Sequence, residues 1–166
     1  GQDPLAHYLK VVADKTGSLI AASAVFGAMV SHASAENVAA LEQFGEDIGE
    51  VFQLADDLID ITSTMTGKTP GTDLREKVPT LPTLLLRASD DPADAELKEM
   101  LDADLSDDAV LSDVLDKLRA NHVIDEARVE IQRRADRART HLTPLPDGDA
   151  KQALEALCDE VVSRSS

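Results

Sequence analysis

The side chains best suited to chemistry in this sequence are three aspartates within residues 52–60, which read Phe-Gln-Leu-Ala-Asp-Asp-Leu-Ile-Asp. At the 100° rotation per residue of an α-helix, Asp56 and Asp60 lie one turn apart on one face, with Asp57 beside them. Their neighbours are mostly apolar and favour burial, where carboxylates repel one another unless a cation compensates them. Mg²⁺ suits this role because it prefers oxygen ligands and commonly bridges carboxylates to substrate phosphates. We therefore predict that Asp56, Asp57 and Asp60 bind Mg²⁺.

Lysines in two other segments could complete a site for a metal-bound diphosphate. Lys15, followed by Thr16, falls in the middle of an apolar segment, where an ammonium without a partner is costly. Lys68 follows Gly67 in a region rich in Gly and Pro. Lysine contacts phosphate as a point charge, and a hydroxyl or loop N–H groups can supply further donors. Each feature has a simpler interpretation by itself: a snorkelling lysine, a surface charge on a loop, or a solvated acidic patch. The combination favours a diphosphate site.

The segments that carry these residues are predicted to be helical. Residues 4–32 begin with Pro4 at a helix-start position and are apolar on nearly all faces, as is typical of a helix in the middle of a bundle. Ser34 is predicted to cap a second long helix over residues 35–62, which includes the three aspartates. Residues 62–82 are interrupted by Gly and Pro and are predicted to form a long ordered loop.

The rest of the chain is predicted to form further helices, so the expected fold class is all-α. These helices are expected at residues 81–88, 92–103, 107–120, 124–142 and 150–163, with Ser106 and Asp149 as caps. The arginines between positions 128 and 139 are expected to form ion pairs within and between helices, with a diphosphate contact as the alternative. The four histidines are scattered, and their spacing does not indicate a metal site.

Composition limits the kinds of partner that this chain can have. Its formal net charge of −16 would repel the phosphates of nucleic acids, so nucleic acid is not an expected partner. Cys158 is the only cysteine, which rules out an internal disulfide and fits a reducing compartment, so we expect a cytoplasmic protein. The longest apolar stretch, residues 17–30, is too short and too rich in Ser and Gly to span a bilayer.

The order and spacing of these motifs resemble the trans-type polyprenyl diphosphate synthases, in particular their bacterial long-chain members. The matching pieces are Lys15-Thr16-Gly17-Ser18-Leu19, residues 45–49, Phe52-Gln53, Asp56-Asp57-Leu58-Ile59-Asp60, Gly67-Lys68, Gly71, Asp73-Leu74 and Thr80-Leu81-Pro82. They follow the order of the second half of that family and extend over about residues 8–86.

The resemblance implies a helical bundle of the isoprenoid synthase type, in which two aspartate-rich motifs face each other across a cavity and hold Mg²⁺ and an allylic diphosphate. Asp56, Asp57 and Asp60 match the second motif. The positions that match the surroundings of the allylic diphosphate are Lys15, Thr16, Gln53 and Lys68. The implied reaction joins isopentenyl diphosphate to an allylic prenyl diphosphate, while Mg²⁺ and lysines stabilise the departing diphosphate. The residues with implied catalytic roles are Asp56, Asp57, Lys15 and Lys68.

Two departures from the family pattern limit these expectations. Lys77-Val78 stands where the family often has Gly-Lys, so no role is assigned to Lys77. The first aspartate-rich motif lies upstream in the family and is absent from this sequence. We therefore interpret residues 1–166 as the C-terminal part of a single polyprenyl synthase domain, with an incomplete bundle that lacks the N-terminal helices. The expected partners are the N-terminal half or a partner chain and a second copy in a homodimer, and the isolated fragment should be inactive.

Two other interpretations remain open at this point. A class I terpene cyclase shares the fold and the metal–diphosphate chemistry, but it usually adds an Asn/Ser/Glu metal motif on a later helix, and we find none. A non-catalytic subunit of a heteromeric prenyl diphosphate synthase would bind and regulate a partner. Such a subunit would have no need of the intact aspartates or of Lys68.

Overall fold

The computed structural model describes residues 3–12, 18–63 and 70–165, and these residues form helices and connecting turns without β-strands. The all-α prediction is therefore confirmed. The helices are α1 (Pro4–Val12), α2 (Ser18–Val30), α3 (Ala35–Thr62), α4 (Thr72–Arg75), α5 (Leu81–Ala88), α6 (Ala95–Asp102), α7 (Asp108–Arg119), α8 (Val123–Thr140) and α9 (Asp149–Ser163), with a 3₁₀ turn at Pro92–Asp94. Among the described residues, none of the helices combines the length and apolar character needed to cross a membrane.

Helix α3 is the central element that positions the three aspartates. It packs against α2 and α8 and also contacts α5, α7 and α9. Val51, Leu54 and Leu58 on this helix are fully shielded from solvent. Burying a side chain of this size contributes about 1.5–3 kcal/mol. The apolar residues on most faces of α3 thus hold the aspartate-bearing segment on a rigid support.

The predicted boundaries of α3 are confirmed, whereas two predicted caps are wrong. The Ser34 side chain accepts a hydrogen bond from the backbone N–H of Asn37 at 3.2 Å, as expected of an N-cap. Helix α7 is capped by Asp107 instead of Ser106, because the Asp107 carboxylate reaches the backbone N–H of Ala109 at 2.7 Å. Asp149 already belongs to α9, and Gly148 occupies its cap position.

The predicted loop over residues 62–82 contains the short helix α4, which the sequence analysis missed. Gly71 precedes this helix with φ +78°, a backbone conformation that side-chain-bearing residues disfavour. Its backbone N–H donates to the backbone carbonyl of Asp60 at 3.1 Å, which attaches the loop to the end of α3. This attachment brings Asp73, in the first turn of α4, beside the aspartates of α3.

The arginines of α8 form the ion pairs that the sequence analysis predicted. Arg134 Nη1 lies 2.5 Å from Glu50 Oε1 on α3, and Arg137 Nη2 lies 2.5 Å from Asp47 Oδ1. Arg133 pairs with Glu130 within α8 at 2.8 Å. These contacts join α8 to α3 through charged side chains.

The predicted continuous helix over residues 4–32 is described as α1 and α2, on either side of residues 13–17. Residues 13–17 lie outside the described part of the chain, so the connection between α1 and α2 stays a prediction.

Candidate functional site

Asp56, Asp57 and Asp60 lie in the last two turns of α3, in three different environments. Asp56 is exposed, Asp60 is half-buried, and Asp57 is only 6% exposed. Asp56 lies next to Arg164, whose Nη2 atom is 3.4 Å from Asp56 Oδ1. The helix thus carries the three acids as predicted, but packing makes them chemically unequal.

Asp57 has the most perturbed environment of the three. Burial raises the pKa of its carboxyl group to about 8, with further contributions from the negative charges of Asp73 and Asp60. Gln53, one turn earlier, donates from Nε2 to Asp57 Oδ1 at 3.1 Å. The backbone N–H of Leu81 lies close enough to the carboxyl group to lower its pKa in part, but the other oxygen, Oδ2, is buried and makes no hydrogen bond of normal geometry. A buried ionised carboxylate is costly without a partner, so this atom indicates a missing cation or donor.

A fourth carboxylate, Asp73, joins the group through the tertiary structure. The backbone N–H of Asp73 lies 3.4 Å from Asp60 Oδ2, and its charge helps to raise the pKa of Asp57. Asp73-Leu74 belongs to the motifs that carry the family resemblance, but Asp73 is not among the predicted site residues. The distance in sequence between Asp73 and α3 did not indicate that Asp73 belongs to the site. Its position depends on the hydrogen bond from the backbone N–H of Gly71 to the backbone carbonyl of Asp60.

A hollow of about 440 Å³ lies between α1, α3 and the segment that leads into α5. Its lining includes Tyr8, Val11 and Val12 from α1, Gln53 and Asp57 from α3, and Asp73, Val78, Pro79 and Leu84 from the following segments. The walls are largely apolar, and the polar side chains among them are His7, Tyr8, Gln53, Asp57 and Asp73. An apolar hollow with a few polar groups is the usual form of a site for a small organic ligand.

Two buried polar atoms without partners belong to residues of this hollow. Among the described residues, the buried side-chain oxygen and nitrogen atoms that lack a hydrogen bond are Tyr8 Oη and Asp57 Oδ2. Buried polar groups in native proteins nearly always have partners. Both residues line the same hollow, so the unsatisfied polar groups lie together on one side of the bundle.

The donor set fits a divalent cation that is only partly enclosed by protein. Within residues 3–12, 18–63 and 70–165, no three His, Cys, Asp or Glu side chains are arranged to share one metal ion. Mg²⁺ does not require such a cage, since it usually binds one or two carboxylates and completes its shell with water and phosphate oxygens. The unpartnered Oδ2 of Asp57, beside Asp60 and Asp73, meets that requirement.

Three of the predicted site residues lie outside the described part of the chain. They are Lys15, Thr16 and Lys68, and their predicted roles are not tested by the structure. Gln53 lines the hollow, and its role in substrate binding stays a prediction. Lys77, for which no role was assigned, donates from Nζ to the backbone carbonyls of Leu101 and Ala103, at 2.7 Å for Leu101. It therefore ties the end of α6 to the segment before α5.

Comparison with known proteins places this fold and this site in context. Residues 2–118 match the polyprenyl synthetase family. A nonaprenyl diphosphate synthase from Mycobacterium tuberculosis is 43% identical over 164 residues, which are 98% of this chain and 49% of that protein. An octaprenyl diphosphate synthase from Escherichia coli is 30% identical over 95% of this chain and 50% of its own length.

Solved structures agree with these sequence matches. The crystal structure of a geranylgeranyl pyrophosphate synthase from Corynebacterium glutamicum, complexed with calcium and isoprenyl diphosphate, superposes with a TM-score of 0.91 and 42% identity. The match covers 99% of this chain and 52% of that one. This chain spans about half the length of the curated relatives it matches. The family match over most of the chain, together with this superposition, shows that the chain belongs to the polyprenyl synthetase family.

Proposed function

We propose that the protein containing these residues condenses isopentenyl diphosphate with an allylic prenyl diphosphate, and that this chain supplies one wall of the active site. The observation that carries the proposal is that Asp57 lines a largely apolar hollow while its buried Oδ2 atom makes no hydrogen bond of normal geometry. A prenyl diphosphate has the matching chemistry: a hydrocarbon tail joined to an anion that binds divalent cations. Membership of the polyprenyl synthetase family supports this reaction over terpene cyclisation.

The metal in this proposal is Mg²⁺, and Asp56, Asp57 and Asp60 would supply its carboxylate ligands, with one or two of them on any one ion and with water and phosphate oxygens in the remaining positions. When bound, Mg²⁺ stabilises the negative charge that develops on a departing diphosphate. Gln53 positions Asp57, because its hydrogen bond to Oδ1 leaves Oδ2 available for the cation. Calcium in the Corynebacterium glutamicum structure supports a divalent cation, and the preference for Mg²⁺ is part of the proposal.

Lys15, Thr16 and Lys68 are proposed to contact the allylic diphosphate. Their ammonium and hydroxyl groups would donate hydrogen bonds to oxygens of the allylic diphosphate, as the family resemblance implies. Each ammonium would bind more strongly to the diphosphate once the C–O bond has broken, since the leaving group then carries more charge.

The aliphatic walls of the hollow have their own role in the proposed reaction. Val11, Val78 and Leu84 offer a surface for the prenyl tail that donates no hydrogen bonds. Their burial against a tail would exclude water from the reacting carbon, so that isopentenyl diphosphate rather than water captures the allylic cation.

The complete site requires a second wall, which we assign to the half of the family fold that these residues do not contain. The relatives named above are about twice as long as this chain. We propose that the N-terminal half, in the same polypeptide or in a partner chain, supplies the first aspartate-rich motif. A homodimer and a cytoplasmic location remain predictions.

The test is product formation by the encoded full-length protein with isopentenyl diphosphate, farnesyl diphosphate and MgCl₂, with products identified by mass spectrometry. We expect elongated prenyl diphosphates, and a loss of about 10²–10³-fold in turnover for Asp57→Asn. Glu42→Gln, an exposed acid on the same helix, is the matched control and should retain activity. Near-normal turnover of Asp57→Asn would overturn the proposed site, and a full-length protein without product would overturn the proposed reaction.

A further inference from the structure

Arg164, which follows α9, contacts the helix that carries the aspartates, α3. Its Nη2 atom is 3.4 Å from Asp56 Oδ1, and its guanidinium carbon is 5.1 Å from the centroid of the Phe52 ring. Phe52 and Asp56 are one helical turn apart, so Arg164 makes both contacts on the same face of α3. The guanidinium group therefore has two partners on α3, a carboxylate and an aromatic ring, which favour the same position.

The turn that carries Arg164 is anchored to the rest of the bundle. The backbone N–H of Arg164 donates to the carbonyl of Glu160 at 3.2 Å, which continues the last turn of α9. The next residue, Ser165, is only 3% exposed. Its backbone carbonyl accepts a hydrogen bond from Arg128 Nε on α8 at 3.3 Å. The packing of α8 and α9 thus fixes the backbone from which the Arg164 side chain reaches Asp56.

We propose that Arg164 is a positioning residue. Its guanidinium group pairs with the Asp56 carboxylate when no cation is bound, and it competes with the divalent cation for this carboxylate. This inference rests on the proposed function, in which Asp56 is a metal ligand. A guanidinium group remains charged at any relevant pH, so it is a permanent competitor. A carboxylate oxygen held by the guanidinium is less available to a metal, and a positive charge this close repels a dication.

The competition has a consequence for substrate binding. A diphosphate that arrives with the cation brings negative charges, and arginine binds phosphate oxygens well. The Arg164 guanidinium group can then leave Asp56 and bind the diphosphate. Asp56 is thereby free to bind the cation, and the competition that weakens cation binding ends. Cation and diphosphate therefore bind more tightly together than separately, and Arg164 supplies part of this coupling.

The experiment is a calorimetric titration of the encoded full-length protein with MnCl₂, alone and in the presence of inorganic pyrophosphate. We expect Arg164→Gln to bind Mn²⁺ alone roughly two- to fivefold more tightly, the size expected for an exposed ion pair. Pyrophosphate should tighten Mn²⁺ binding less in this variant than in the wild type. Arg164→Lys should restore much of the wild-type behaviour, and Phe52→Leu should lie between the wild type and Arg164→Gln.

Controls separate this inference from the proposed function. Arg139→Gln removes another α8–α9 arginine, which pairs with Asp159, and should leave Mn²⁺ binding unchanged. Unchanged or weaker Mn²⁺ binding in Arg164→Gln, with binding abolished in Asp57→Asn, would overturn the role of Arg164 and leave the proposed function intact. A wild type that binds no Mn²⁺, with or without pyrophosphate, would overturn both.

Discussion

A Cβ atom placed on Gly45 of α3 would lie 2.5 Å from the Cα atom of Ala21 on α2, so the two helices touch backbone to backbone at this point. No flexible side chain separates them there, and a methyl group could be accommodated only if the helices moved apart. Helix α2 follows directly after residues 13–17, which include Lys15 and Thr16. The contact between Gly45 and Ala21 therefore fixes the position of α2, the helix that follows the proposed diphosphate-binding residues.

Gly45→Ala is expected to destabilise the protein by about 1–3 kcal/mol, because overpacking at a rigid contact costs this much. Gly27→Ala is the matched control on α2, since a Cβ there meets nothing within 4 Å. It should stabilise the protein by about 0.5–1 kcal/mol, as Ala is the better helix former. Urea denaturation of both variants measures the difference. Equal effects of the two substitutions would show that α2 and α3 are not in tight contact.

Asp57→Asn is expected to stabilise the metal-free protein while it removes the response to Mg²⁺. Burial raises the pKa of Asp57 from 3.8 to about 8, so the folded protein keeps a proton that the unfolded chain has released. The raised pKa therefore contributes stability that is present below about pH 4 and lost as the pH rises towards about 8. The variant should melt higher than the wild type near pH 8 in EDTA, and the gap should close towards pH 4.

The same melting experiments with MgCl₂ and pyrophosphate provide the functional comparison. The wild type should gain stability, because the ligand binds only the folded state, whereas Asp57→Asn should gain little. Glu42→Gln should follow the wild type under all conditions. A difference between Asp57→Asn and the wild type that does not change with pH would mean that the carboxyl group is not buried as described.

Arg134→Met is expected to cost about 3–5 kcal/mol, because it leaves the buried Glu50 with a weaker partner. Glu50 is 5% exposed and Arg134 is 7% exposed, and after the substitution Glu50 keeps its ion pair with Arg137, whose Nη2 atom is 3.3 Å from Glu50 Oε2. Arg133→Met is the matched control, since Arg133 also pairs with Glu130 but is exposed. Its cost should stay below about 1 kcal/mol. Similar urea midpoints for the two variants would contradict a buried role for Arg134.

His122 is expected to stabilise the fold more at acidic than at alkaline pH. Its ring nitrogens lie 3.0 Å from Asp94 Oδ2 and 2.9 Å from Glu126 Oε1, and these carboxylates raise the pKa of His122, with the hydrogen bond to Asp94 as the largest cause. The contribution of the protonated ring is present below the unfolded pKa and is lost as the pH rises through the higher folded pKa.

The measurement is the melting temperature of the wild type and of His122→Gln over a range of pH. The loss caused by the substitution should be larger near pH 5.5 than near pH 8.5, values about one unit below and two units above an ordinary histidine pKa. Asp94→Asn should reduce this pH dependence, because it removes the main partner of the ring. A loss that grows with pH would reverse the assigned sign and refute the ion pair.

Local sequence signals were enough to predict the long helix that carries the site and the chemical types of its residues. Helix α3 was predicted with its correct start and end, because a cap at Ser34 and helical periodicity are local signals. The same periodicity places Asp56 and Asp60 one turn apart in any structure that keeps this helix. The ordered motifs, rather than any single residue, indicated the family that the comparisons then showed.

The differences among the acids, and the groups that surround each of them, depend on how the helices pack. The packing around α3 buries Asp57 and leaves Asp56 exposed, although the two are adjacent in sequence. Asp73 reaches the site through a loop contact, and Arg164 reaches Asp56 across 108 positions of the chain. Such contacts depend on how helices pack, which local propensity does not encode. The sequence shows the identity and the spacing of these residues, but burial and the charges of distant residues determine their pKa values and their partners.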